Sequence, residues 1–161
     1  MILIVMGVSG CGKSTVGLHL AEQLTLPFYD ADDFHPAANI SKMSQGIPLT
    51  DEDRLPWLNL LAEHIKDWEL EGGAVLACSA LKQSYRDILS ATPDDVVRFV
   101  YLKGDQTLLA SRLRNRGGHF MPEALLESQF DALEPPTDAI TVLLENTVQD
   151  IVSEIIQVIK K

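Results

Sequence analysis

Two cysteines, Cys11 and Cys78, are all that the chain holds. They lie far apart and lack metal-ligand spacing, which excludes a disulfide scaffold and a cysteine-held metal, and free thiols point to a cytoplasmic protein. Basic residues are scarce too. Thirteen Lys and Arg against 23 Asp and Glu leave a net charge of −10, which repels nucleic-acid phosphates and argues against such a partner. Basic residues gather at Arg112, Arg114 and Arg116, too few for a nucleic-acid surface but suited to a compact phosphate ligand. No long hydrophobic run occurs: the apolar stretch from Met1 to Met6 is too short for a signal peptide or a membrane span, so no membrane partner is expected. The Asn-Lys-x-Asp and Asp-x-x-Gly elements of a GTP-binding switch are missing as well. Internal repeats, low-complexity tracts and linkers are absent, and the 161 residues read as one domain, 1–161, large enough to bury a core unaided.

What is present is organised around the first fifteen residues. The apolar run passes into Gly7-Val8-Ser9-Gly10-Cys11-Gly12-Lys13-Ser14-Thr15, the G-x-x-x-x-G-K-S phosphate loop, placed between a strand pattern and a helix pattern. Glycines at 7, 10 and 12 let successive N–H groups turn inward around a polyphosphate. The helix that follows adds unpaired N–H groups and the positive end of its dipole. Lys13 would reach the β- and γ-phosphates, and Ser14 would ligate Mg²⁺. The bland alternative is a glycine-rich turn that binds nothing.

Val16, Leu20 and Leu24 then mark a helix from Lys13 to about Gln23, with Pro27 to end it. Phe28-Tyr29-Asp30 is a short second strand running into Asp32, Asp33, Phe34, His35 and Pro36. Carboxylates just past a strand end lie where open α/β sheets bind ligands, although aspartates also cap helices and start turns. Thr50-Asp51-Glu52-Asp53 offers a helix start, and Arg54 in that first turn gains nothing from the dipole, which marks it as a ligand candidate. Ala74 to Cys78 is a third strand. Lys82 and Arg86 follow four residues apart on one side of the next helix, either as surface charges or as holders of an anion. Val96 to Leu102 and Ala139 to Leu144 supply two further strands, and a helical pattern closes the chain. Between those two strands the helix carrying Arg112 and Arg116 leads through Gly117 and Gly118 into another helix, the arrangement of a lid over about 112–136. Alternating strands and helices predict an α/β fold, a parallel sheet of five strands with helices on both faces.

Holding ATP alone does not need the polar residues at the second and third strand ends. They suggest a second, polar ligand, which favours an enzyme over a nucleotide-gated binding module. The blocks from Asp30 through Lys42-Met43, Gly46 to Arg54, Pro56-Trp57-Leu58, Ala77 to Lys82 with Tyr85-Arg86-Asp87, Tyr101 to Gly104, Gly118 to Pro122, Ser128-Gln129-Phe130 and Leu133 to Pro136 resemble the gluconate kinases over nearly the whole chain.

That resemblance implies a P-loop kinase fold similar to shikimate kinase, sheet order 2-3-1-4-5 with a helical lid, and ATP-dependent phosphorylation of D-gluconate at its 6-hydroxyl. It implies a homodimer as well; a kinase for another polyhydroxy acid such as shikimate is the alternative. The segment over about 31–58 would hold the acceptor. Mg²⁺ would be held by Ser14 and, through water, Asp30; Asp32 would accept the hydroxyl proton, by analogy with the second aspartate of the D-x-D pair in shikimate kinases, with Asp33 as fallback. Lys13, Arg112 and Arg116 would stabilise charge on the transferring group. Arg54, Lys82 and Arg86 are candidates for the gluconate carboxylate, and His35, Lys42, His119 and Gln129 for its hydroxyls. Cys11 stands where the family loop often has serine; little effect on binding is expected, though thiol oxidation could reach the site.

Overall fold

The computed structural model of the protein describes residues 1–8, 10–91, 96–115 and 123–160. In chain order the elements are β1 (Ile2–Met6), α1 (Lys13–Leu24), β2 (Phe28–Asp30), a 3-10 turn (Ala31–Phe34), α2 (Ala37–Ser44), α3 (Asp51–Leu70), β3 (Ala74–Ala77), α4 (Gln83–Leu89), β4 (Val97–Lys103), α5 (Gln106–Asn115), α6 (Glu123–Ala132), β5 (Ile140–Leu143) and α7 (Val148–Lys160). The five strands form one sheet in the order β2-β3-β1-β4-β5, and every pairing is parallel.

β1 is central because it is apolar at every position, and only a strand covered on both faces tolerates that. Its side chains alternate: Leu3 and Val5 enter one core with Val16, Leu20, Val152 and Ile155 from α1 and α7, while Ile2, Ile4 and Met6 enter a second with Leu58, Leu61 and Ile65 from α3. Each of these large aliphatic side chains, buried, contributes roughly 1.5–3 kcal/mol. The two cores make the sheet a rigid platform between helical layers.

α1 ends where its sequence pattern predicts, and one other local expectation needs correction. α1 stops at Leu24, one residue past the expected end near Gln23, where Thr25 turns left-handed (φ 55°) and the Leu26 N–H reaches back to the Ala21 carbonyl at 2.9 Å. Lys82 is not on a helix face with Arg86: it is the extended N-cap residue of α4, whose first turn begins at Gln83. α3 does begin as its sequence predicts. Thr50 Oγ1 accepts from the Asp53 N–H at 3.1 Å while Asp53 Oδ2 accepts from the Thr50 N–H at 2.9 Å, a reciprocal cap.

Candidate active site

Val5 pairs with Ala77 and Ala77 with Asp30, so the chain leaves β1, β2 and β3 at one edge of the sheet. That edge is where parallel sheets place ligands. Gly7 there has φ 150°, and a Cβ on it would lie 2.9 Å from Cys11 Sγ and 3.1 Å from the Leu102 carbonyl oxygen. Gly10 and Gly12 are left-handed, and Gly12 caps α1 without a side chain. With no acid in that first turn either, the leading N–H groups of α1 are left for an external anion.

A cavity of about 280 Å³ opens beside this loop, and its lining brings together Lys13, Ser14, Thr15, Asp30 and Asp32 with residues 77–79 beyond β3. Lys13 Nζ donates to the Gly7 and Val8 carbonyls at 3.1 and 3.2 Å. Ser14 Oγ donates to Asp30 Oδ2 at 3.1 Å, and Asp30 Oδ1 accepts from the Asp32 N–H at 3.0 Å. A hydroxyl and a carboxylate facing one phosphate-sized cavity fit Mg²⁺, which takes few protein ligands and fills its octahedron with phosphate and water. Among the described residues no group of three or more His, Cys, Asp or Glu side chains is placed to hold a metal by itself.

Asp32 is 83% exposed, and the neighbouring His35 holds its carboxyl below the usual range despite partial desolvation, with Lys13 acting in the same direction. Asp33 is exposed and lies outside the cavity lining. His35 itself is buried, stacked on Trp57 with ring centroids 4.2 Å apart. Lys42 Nζ donates to Asp53 Oδ2 at 2.7 Å, linking α2 to α3, and this bond with the Thr50 N–H draws the Asp53 carboxyl down to about 2.

Arg54 and Lys82, remote in sequence, meet around Tyr85. Each cationic group lies 5.6 Å from the ring centroid. Lys82 Nζ donates to both Asp51 oxygens at 3.1 and 3.2 Å, the Tyr85 hydroxyl donates to Asp51, and Arg54 donates to the Leu49 carbonyl and the Tyr85 oxygen. The Tyr85 and Lys82 hydrogen bonds lower the Asp51 carboxyl below its ordinary value. Arg86, expected beside Lys82, is instead buried, donating to the carbonyls of Ala80, Leu81 and Glu134 and to Gln83 Oε1. Its guanidinium fastens α4 to the chain beyond α6.

A second cavity of about 490 Å³ adjoins the loop on its other side, lined by Gly12, Thr15, Arg112, Asn146, Thr147 and Val148 among others. Arg112 Nη2 donates to the Leu144 carbonyl at its edge. Gln129 sits half-buried on α6. Ser9, Arg116 and His119 lie outside the described residues. Both thiols are buried, Cys11 at 2% exposure, and desolvation pushes the Cys78 thiol up to about 12. Burial opposes the oxidation expected at Cys11.

Sequence reasoning missed Ser79 on the first cavity, Asn146 and Thr147 on the second, and Asn39, Asp51 and Tyr85. Ser79 and Asn146-Thr147 follow strand ends, a signal that was available; the contacts of Asn39, Asp51 and Tyr85 are tertiary and left no local trace.

The family model for shikimate kinase matches residues 9–160. A thermosensitive gluconokinase of Escherichia coli is 53% identical over 136 residues, spanning 83% of this chain and 71% of its own. A gluconokinase of Gluconobacter oxydans is 51% identical over 138 residues, spanning 84% and 76%. The crystal structure of a gluconokinase from Sinorhizobium meliloti superposes with a TM-score of 0.86 at 44% identity, over 94% of this chain and 87% of that one.

Proposed function

The chain belongs to the gluconokinases, within the shikimate kinase family of phosphate-loop enzymes, and from that premise we propose that it transfers the γ-phosphoryl group of ATP to the 6-hydroxyl of D-gluconate, giving 6-phosphogluconate and ADP. The observation that carries this is the single cavity where Lys13, Ser14, Asp30 and Asp32 converge on the phosphate loop.

Phosphoryl transfer asks mainly for alignment and charge neutralisation. The loop N–H groups cradle the polyphosphate, and Lys13 exchanges the Gly7 and Val8 carbonyls for the β- and γ-phosphates. Asp32 orients the acceptor hydroxyl and takes its proton as the oxygen attacks phosphorus. Ser14 and Asp30 would hold Mg²⁺, which supplies positive charge to the phosphates. The larger cavity past Arg112 takes the nucleoside, with Arg112 and Arg116 flanking the phosphates. Arg54 and Lys82, two cations converging on one tyrosine, are the pair we assign to the gluconate carboxylate. Residues 112–136 act as a lid that excludes water, bringing His119 and Gln129 to the acceptor hydroxyls, and 31–58 forms the acceptor segment of one kinase domain. A homodimer and a cytoplasmic location complete the proposal; the family resemblance supports the first, two buried thiols the second.

Coupled ADP release with Mg²⁺-ATP across D-gluconate, other aldonates and shikimate tests the assignment. Saturable turnover on D-gluconate is expected; ADP release indifferent to gluconate would overturn it.

A further inference from the structure

His35 has a buried ring beside an exposed carboxylate, and the arrangement follows from local backbone geometry. Residues 31–34 form a 3-10 turn rather than an α-helical one. At three residues per turn, side chains i and i+3 eclipse, so Asp32 and His35 project from the same side. His35 Nε2 lies 3.7 Å from Asp32 Oδ1, inside ion-pair range and somewhat beyond a formed hydrogen bond. The ring is 4% exposed, against 83% for the Asp32 side chain, so the histidine is the fixed member and the carboxylate the movable one.

Two contacts fix that ring. Its face lies on Trp57 at 15° between planes, and Trp57 is itself tied by Nε1 donating to the Ala31 carbonyl at 2.8 Å. The second contact decides the proton. Asn39, buried on α2, donates through Nδ2 to the Asp53 carbonyl at 2.9 Å, an acceptor that only the amide nitrogen can satisfy. The same nitrogen lies 3.3 Å from His35 Nδ1. Its second hydrogen points there, so Nδ1 must accept and the imidazole proton sits on Nε2, on the side of Asp32.

We propose that His35 is a positioning residue for phosphoryl transfer, orienting the Asp32 carboxylate through Nε2–H while Asn39 holds the ring in the one tautomer that can do so. A solvated carboxylate samples several rotamers, and a rigid donor at its base restricts them to those aimed at the acceptor hydroxyl. The 3.7 Å separation closes with a small rotation of Asp32 when acceptor fills the cavity, as hydrogen bonds at catalytic groups commonly tighten on binding. Because Asn39 also joins α2 to the start of α3, a shift of α2 against α3 reaches the base through this ring.

Resting on the kinase activity proposed above, the test is a double-mutant cycle in kcat with D-gluconate and Mg²⁺-ATP. His35→Phe keeps the stack on Trp57 and removes the N–H; kcat is expected to fall about 10- to 100-fold with the KM for ATP unchanged. In an Asp32→Asn background the same substitution should cost about threefold at most, since a residue acting through Asp32 has nothing left to act on. Equal losses in both backgrounds would mean a packing role and overturn the proposal while leaving the kinase intact. An Asp32→Asn enzyme with undiminished kcat would remove the base and the positioning together, and wild type without gluconate-dependent turnover would remove the activity itself. His35→Gln, which retains an N–H, should exceed His35→Phe severalfold; parity counts against the idea. Nitrogen-15 NMR of wild type labelled at histidine needs no variant: an Nε2–H signature for His35 is expected, and Nδ1–H would refute the assignment.

Discussion

Lys13 lies folded against the loop that carries it, its ammonium satisfied by two carbonyls of that loop. Those bonds hold the side chain at the cavity without anchoring any other element, so removing it should leave the fold intact and strip charge from the transition state. Lys13→Ala is expected to lower kcat about 10³-fold or more, about 4 kcal/mol, with little change in melting temperature. A tenfold loss or less in the coupled assay would show that the lysine is not used in transfer. The loop glycines were legible because a phosphate loop imposes its backbone on residue type: only glycine suits Gly7, where any Cβ meets Cys11 and Leu102. Arg86 was not legible. Its partners are carbonyl oxygens and one glutamine oxygen, and carbonyls look alike whatever residue bears them. Lys42 poses a related difficulty, since a lysine drawn to a helix-capping aspartate cannot be told by type from one drawn to a substrate hydroxyl.

The start of α3 joins two functions in one carboxylate. Asp53 closes the helix cap and receives Lys42 from α2, so its charge holds α2 to the start of α3. Its folded pKa of about 2 lies below the ordinary 3.8, so the stabilisation is complete above about pH 4 and disappears as pH falls toward 2. Asp53→Asn should therefore unfold at lower urea than wild type at neutral pH, with the difference shrinking between about pH 4 and 2. A difference constant across that range would assign the loss to packing instead. This helix start was readable in advance because Thr50 and Asp53 carry the cap in their own spacing, whereas α1 gave up its end to within a residue but not its cap, a left-handed turn on a threonine that carries no such signal.

At the scale of the molecule, one sheet edge gathers loops from both halves of the chain. A nucleotide seated there would touch the loop after β1 and the segment after β5 together, as the second cavity shows by joining Gly12 to Asn146. Ligands that bind only the folded state raise its stability by mass action, about 2.7 kcal/mol at a hundredfold excess over Kd. Mg²⁺-ATP should accordingly raise the melting temperature in a concentration-dependent way, and a melting curve indifferent to nucleotide would contradict the site. Strand order, which strand neighbours which, is decided by the pairing of apolar runs that look interchangeable one at a time; only the family resemblance ordered them in advance.

That order also sets a timetable for synthesis. β1 is made before either of its neighbours, yet Ile2 pairs with Ala74 on one side and Val97 on the other. A ribosome must therefore add roughly a hundred residues before the most apolar strand has both edges closed, and in that interval it presents open backbone and bare hydrocarbon to solvent or to a chaperone. The strand that anchors the finished enzyme is thus the one whose premature pairing with another nascent copy would most readily lead to aggregation.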